Sequence, residues 1–199
     1  VFIISKPTNR QLQASKTKES IVNTLVYFLK TKPISEITIA EIAKHSNIGP
    51  STFYVHFDSK EEALLYSYRF GDKFIEQIDL KGLSIVEQIT LILSTQLSMQ
   101  IGYEDIQRHI YISQLKHYDA YFFSEDRPIY RILNDLIQKG QNEGTITSAV
   151  SSRDMVRKLL RFTRGLMFEY CIQHNSNTSN WSDMALAETK EYLKLFVKK

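Results

Sequence analysis

A single cysteine, four prolines and seven glycines in 199 residues rule out several kinds of protein at once. Cys171 has no second thiol to pair with, so no disulfide framework exists, and such cysteine use fits a reducing, cytoplasmic compartment. Cys171 sits in an apolar helical stretch, where a thiol is a packed group rather than a redox switch. No apolar run approaches the ~18 residues of a membrane span, and the opening VFII is too short for a signal peptide, so no membrane partner is expected. His109 and His117 are eight apart, with no Cys or further His at ligand spacing, which argues against a zinc site. No arrangement of nucleophile, base and orienting residue is found. The chain therefore reads as a non-enzyme with no cofactor. It is long enough to bury a core without metals or disulfides.

What is present is helical periodicity. Apolar residues recur at three and four throughout, without sustained alternation of period two, and the chain reads as all-α. Charge is uneven. The first 60 residues hold 8 Lys/Arg against 4 Asp/Glu, and the rest hold 17 against 18, so the excess positive charge lies in the first third. That imbalance favours a polyanionic partner for this segment.

The spacing predicts a first helix over about 15–30, with Ile21, Leu25, Phe28 and Leu29 on its buried stripe, and Pro33 beyond its end. A short helix follows, with Thr38 and Glu41 at capping-box spacing and Ile39, Ile42 and Ala43 buried. Ser46-Asn47-Ile48 reads as a tight turn with Asn47 left-handed. Gly49 is the N-cap and Pro50 the first position of another short helix reaching about His56. Ser59 and Glu62 then cap a long helix expected to run unbroken to about Asp79. Later helices are expected near 84–101, 104–117, 126–142, 152–174 and 182–198, separated by Gly82, Gly102, Gly144 and the polar run HNSNTSN.

Two short helices joined by a three-residue turn and packed on a longer one make a helix-turn-helix. Phe53 and Phe57, four apart, anchor the second helix. Pro50, Ser51, Thr52, Tyr54, Val55 and His56 are left facing out with no acidic group among them, a composition that suits a DNA groove. Thr38, Ile42, Ala43 and then Thr52-Phe53-Tyr54-Val55-His56-Phe57-Asp58-Ser59-Lys60-Glu61 resemble the DNA-binding motif of the TetR family of transcriptional regulators. The resemblance covers about residues 15–65. It implies that Thr38, Ser51, Thr52, Tyr54, Val55, His56 and Lys60 contact DNA, with Lys60 on a phosphate at the start of the long helix. Two departures stand out. Ala40 occupies a position where many members carry a base-reading Arg, and Pro50 replaces a basic residue.

The resemblance divides the chain into a helix-turn-helix DNA-binding domain, 1–62, and a larger helical ligand-binding and dimerisation domain, 63–199. Seven of the 23 aromatics fall within 103–130, where even spacing would give about three. Tyr103, Tyr111, Tyr118, Tyr121, Phe122 and Tyr130, with Phe70, Phe74 and Met99, either line an apolar pocket or fill an aromatic-rich core. Phe162, Leu166 and Tyr170 on one late helix, with Leu193 and Phe196 on the last, form apolar stripes read as a dimer interface in preference to internal core. Gly165 would allow close approach of a second helix, and Arg164 with Glu169 reads as a surface pair. The expected function is a homodimeric repressor that binds a palindromic double-stranded DNA operator and is released by an unidentified small apolar or aromatic effector. A TetR-fold protein-interaction adaptor or coactivator is the alternative.

Overall fold

The computed structural model describes residues 8–100, 103–116, 118–173 and 181–198. Regular structure among them is helical: α1 (Asn9–Leu29), α2 (Ile39–His45), α3 (Pro50–His56), α4 (Lys60–Leu65), α5 (Tyr68–Ile75), α6 (Ile85–Ser98), α7 (Glu104–Lys116), α8 (Pro128–Asn142), α9 (Ser152–Gln173) and α10 (Trp181–Lys194). Single 3₁₀ turns occupy Ile34–Glu36 and Ala120–Phe123, and Ile146 meets Val197 in an isolated antiparallel bridge. None of these helices is long and apolar enough to cross a membrane. Gly102, His117 and the HNSNTSN run lie outside the described residues.

Local chemistry sets most helix starts. Thr38 accepts from the Glu41 N–H while the Glu41 carboxylate returns to the Thr38 N–H, and Ser84 and Glu87 repeat the exchange at α6. A capping box that the sequence reading overlooked, Thr8 with Gln11, starts α1 six residues before the expected position. The expected box at Ser59 is half formed. Ser59 accepts from the Glu62 N–H, but Glu62 reaches back to the Asp58 N–H instead, at 2.7 Å.

The long helix expected from 59 to 79 is not one rod. Its ladder is interrupted at Tyr66–Ser67, where the Ser67 N–H bonds the Leu64 carbonyl three residues back, and α5 ends at Ile75. No Gly or Pro marks this tightening, which is why the spacing alone suggests continuity.

The chain forms two compact units. One gathers the described residues up to Ser67 with His109–Tyr118; the other holds Tyr68–Arg108 and the described residues from Asp119 onward. In the first, α1 packs on α2, α3 and α4 through fully buried Ile21, Val22 and Leu25, which meet a core that includes Ile42, Phe53 and Leu64. In the second, α6, α8, α9 and α10 enclose Ile89, Ile92, Leu93, Leu133, Ile137, Met155 and Val156.

That second core corrects part of the interface reading. Leu193 and Phe196 belong to it, and Tyr170 is 2% exposed beneath Trp181, its ring stacked at 4.4 Å. These three side chains are covered by their own chain and have almost no surface to offer a partner. Phe162 stacks on Tyr192 at 4.2 Å, partly buried, as is Leu166. The apolar groups left outside on the same helices are Phe168 and Ile172 on α9 and Met184 on α10.

The second unit also hides an ion pair. Arg127 grips Asp72 with two parallel bonds, Nε to Oδ2 at 2.9 Å and Nη2 to Oδ1 at 3.0 Å, and gives Nη1 to the Phe122 carbonyl. The Tyr121 hydroxyl donates to the same carboxylate at 2.8 Å, and burial, reinforced by that bond, pushes the phenol up to about 12. Because both charges are shielded from water, losing one partner strands the other. Asp72→Ala should lower stability by about 3–5 kcal/mol, read from the urea midpoint, whereas Asp72→Ala with Arg127→Met should recover most of that loss.

Candidate nucleic-acid interface and ligand cavity

A seven-residue helix has little stability of its own. α3 is held instead by Phe53 and Phe57, 0% and 2% exposed, with ring centroids 6.0 Å apart. Asn47 takes φ 55°, the left-handed turn that lets the chain reverse between α2 and α3, and the Ile48 N–H returns to the Ala43 carbonyl. Behind the turn, Ser46 Oγ donates to Thr24 Oγ1 at 2.9 Å, fixing α2 on α1. His45 lies flat against Tyr27, with centroids 5.3 Å apart.

With its aromatic face inside, α3 presents the remainder outward. Tyr54 and Val55 are 56% and 78% exposed; Thr38 and Ser51 are exposed, and Thr52 and His56 half-buried. Burial, then the nearby Lys18 charge, holds the His56 imidazole below its ordinary value. Lys60 behaves differently from the rest. Its ammonium donates to the carbonyls of Ile34 at 2.5 Å and Ile37 at 2.8 Å, so two of its three N–H groups hold the 3₁₀ turn in place. Lys32 is likewise engaged by Glu41 at 2.7 Å, and this bond, with those from Thr38, brings the Glu41 carboxyl down to about 2.

The nine residues proposed for a pocket are divided between the two units. Tyr111 and Tyr118 fall in the first unit, Phe74, Met99 and Tyr103 are exposed, and Phe70 is partly buried. Tyr121 is tied to Asp72, and the Tyr130 hydroxyl donates to the Arg153 carbonyl at 3.0 Å, so these two phenols find their partners within the protein. Phe122 and Tyr130 do line a cavity of about 410 Å³, walled further by Phe123, Ile129 and Leu160 and rimmed by Arg127, Arg157, Arg161 and Arg164. Sequence reasoning missed the arginines. Their signal was legible, since Arg153, Arg157, Arg161 and Arg164 recur at four, four and three on α9. Arg164 is not the partner of Glu169: its Nε donates to the Leu160 carbonyl, and Glu169 accepts from Gln173. Among the described residues no cluster of His, Cys, Asp and Glu could hold a metal, and burial pushes the Cys171 thiol up to about 11.

Residues 28–66, which contain α2, the Asn47 turn and α3, match the profile of the bacterial regulatory proteins, tetR family. This segment belongs to the tetR family. The whole chain has the TetR regulator fold. A TetR transcription regulator from Haloarcula marismortui superposes with a TM-score of 0.66 at 17% identity, covering 92% of this chain and 100% of that one. A transcriptional regulator from Saccharomonospora viridis in complex with choline gives 0.63 at 17% identity, covering 93% and 100%. The regulator FadR from Bacillus subtilis in complex with stearoyl-CoA gives 0.58 at 16%, covering 86% and 96%. No curated protein sequence matches the chain.

The left-handed residue gives a direct check of the TetR-type turn. Asn47→Val should destabilise the protein by about 1–2 kcal/mol, because a β-branched residue is strained at positive φ, while Asn47→Gly should be tolerated. Thermal unfolding followed by circular dichroism distinguishes the two.

Proposed function

We propose that this protein is a one-component transcription regulator: a homodimer that binds a palindromic operator through α3 and acts as a repressor released by a small molecule held in the second unit. The outward face of α3 carries the reading. Ser51, Thr52, Tyr54, Val55 and His56 offer hydroxyls, an imidazole and an apolar surface with no carboxylate among them, on a helix already held from behind. Hydroxyls and imidazolium suit phosphates, and Val55 suits a thymine methyl. With Ala40 and Pro50 in place of basic side chains, sequence readout depends on few direct contacts and on groove shape. Lys60 serves mainly to hold the 34–37 turn, with one N–H left for a phosphate.

Selection of genomic fragments at moderate salt should enrich an inverted repeat, and affinity should fall steeply with added salt. Tyr54→Ala should weaken binding, and Val55→Ala should change base preference. Absence of any enriched repeat, together with recovery of a protein partner, would favour the adaptor reading instead. The imidazole adds a pH test. Phosphates beside His56 favour its charged form, so binding takes up a proton, and operator affinity should rise as pH falls toward the depressed range of the free imidazole, below its ordinary value. His56→Gln should flatten that rise.

For the dimer, the exposed stripe of α9 replaces the buried one. Gly165, Phe168 and Ile172 follow at three and four on one face, and a Cβ at Gly165 would meet nothing within 4 Å. A two-fold interface uses each residue twice, so a single charge is doubled there. Phe168→Glu should give a helical monomer by light scattering that has lost operator binding. An unchanged dimer mass would place the interface elsewhere.

The ligand relationship of the fold is broad. One structural neighbour holds stearoyl-CoA and another choline, so the architecture alone does not set effector chemistry.

A further inference from the structure

We infer that the cavity beside α8 and α9 binds a small organic anion, its carboxylate or phosphate ester held by Arg161 and Arg164 and its apolar body lying against Phe123. The inference rests on the reading of the second unit as ligand-binding, and does not require the DNA reading.

Shape comes first. The hollow measures about 410 Å³, within the range of about 300–1,000 Å³ that small-molecule sites occupy. Its open apolar wall is Phe123, 53% exposed, backed by Phe122, Ile129 and Leu160 at 5%, 1% and 7%. An apolar wall open to solvent on one side offers burial to a flat or aliphatic ligand.

Charge then selects among such ligands. Four guanidinium groups and one carboxylate line the cavity, and they are not equivalent. The charge of Arg127 is matched by buried Asp72. The Glu125 carboxylate is clasped by Arg153 at 2.8 Å and Arg157 at 2.6 Å, and Arg157 also meets Asp154 at 3.3 Å, so these two guanidinium groups face two carboxylates. Arg161 has no ion-pair partner among the described residues. Arg164 stands with its guanidinium 5.6 Å from the Phe122 ring centre and 5.1 Å from that of Phe123, a cation–π seat that orients it at the rim. A second hollow of about 410 Å³ shares Arg157 and Arg161 and adds Lys158 and Asp154. Guanidinium forks recognise carboxylate and phosphate oxygens in pairs. A neutral or cationic ligand would leave Arg161 without a counter-charge. A duplex, being convex and polar, would not use the apolar walls.

The test is calorimetric titration of the full chain, without DNA, with naphthoate, naphthyl phosphate, neutral naphthamide and inorganic phosphate. At least one of the two organic anions should bind about tenfold or more tightly than naphthamide, and which of them binds better identifies the head group. Arg161→Gln with Arg164→Gln should reduce the anions to the naphthamide level while the helical spectrum is kept. The single exposed Arg161→Gln, the milder change, should lower anion affinity by several-fold. The inference is overturned by naphthamide binding as tightly as the anions, by inorganic phosphate matching the esters, by folded variants of unchanged affinity, or by no binding of any probe. Operator selection is scored separately. Anion binding without operator binding would reject the regulator reading alone, and the converse would reject this inference alone.

Discussion

A helix of two turns cannot stabilise itself, and that constraint organises the first unit. α3 exists because Phe53 and Phe57 are buried against neighbouring helices, and burying two aromatic side chains supplies several kcal/mol by the usual transfer arithmetic, roughly 1.5–3 each. Everything else about the motif follows from fixing one face. Asn47 must turn left-handed to bring α3 onto α2, Ser46 must lock α2 to Thr24, and Lys60 must gather the carbonyls of 34 and 37 beneath the start of α4. The opposite face is thereby presented as a rigid surface. Rigidity matters for recognition, since a surface that had to order itself on binding would lose affinity to the entropy of doing so.

The second unit meets the reverse problem. Its core of Ile, Leu, Val and Met is deep enough to be stable, yet Asp72 and Arg127 are buried with it. Such a pair is weak evidence for added stability, because desolvation offsets much of the attraction. Its value is in position. By joining α5 to the entry of α8 and tying down the Phe122 carbonyl, it sets where the 3₁₀ turn at 120–123 lies, and hence where Phe122 meets the cavity.

Legibility in the sequence divides along the same line as locality. The Thr38–Glu41 box, left-handed Asn47, Pro50 at the first turn and the Phe53/Phe57 pair are all signals complete within a few residues, and each was readable. The break at Tyr66–Ser67 carries no Gly or Pro, so nothing local announced it. Asp72 and Arg127 are 55 residues apart, and no periodicity connects them. The stripe of Leu193 and Phe196 looks the same whether its cover is α6 or a second copy of the chain, and only the packing decides for the former. The tyrosine count misled for a related reason. Clustering in sequence says that phenols are near one another along the chain, but whether a hydroxyl awaits a ligand depends on distant partners such as Asp72 and the Arg153 carbonyl.

The arginines show how far residue type alone falls short of role. Arg127 and Arg161 line the same cavity, carry the same charge and differ in sequence by nothing that a composition analysis weighs. Arg127 is 6% exposed with its charge matched by Asp72 and its remaining donor given to a carbonyl, so its fork is used up in holding the unit together. Arg161 is exposed, four residues after an arginine already shared with Glu125, and at the edge of an apolar wall. A ligand can only interact with what the fold has not already satisfied. With Arg127 satisfied by buried Asp72 and Arg157 shared with Glu125 and Asp154, Arg161 is the cavity's distinguishing charge, which is why the effector proposed for it is an amphipathic anion rather than a purely apolar molecule.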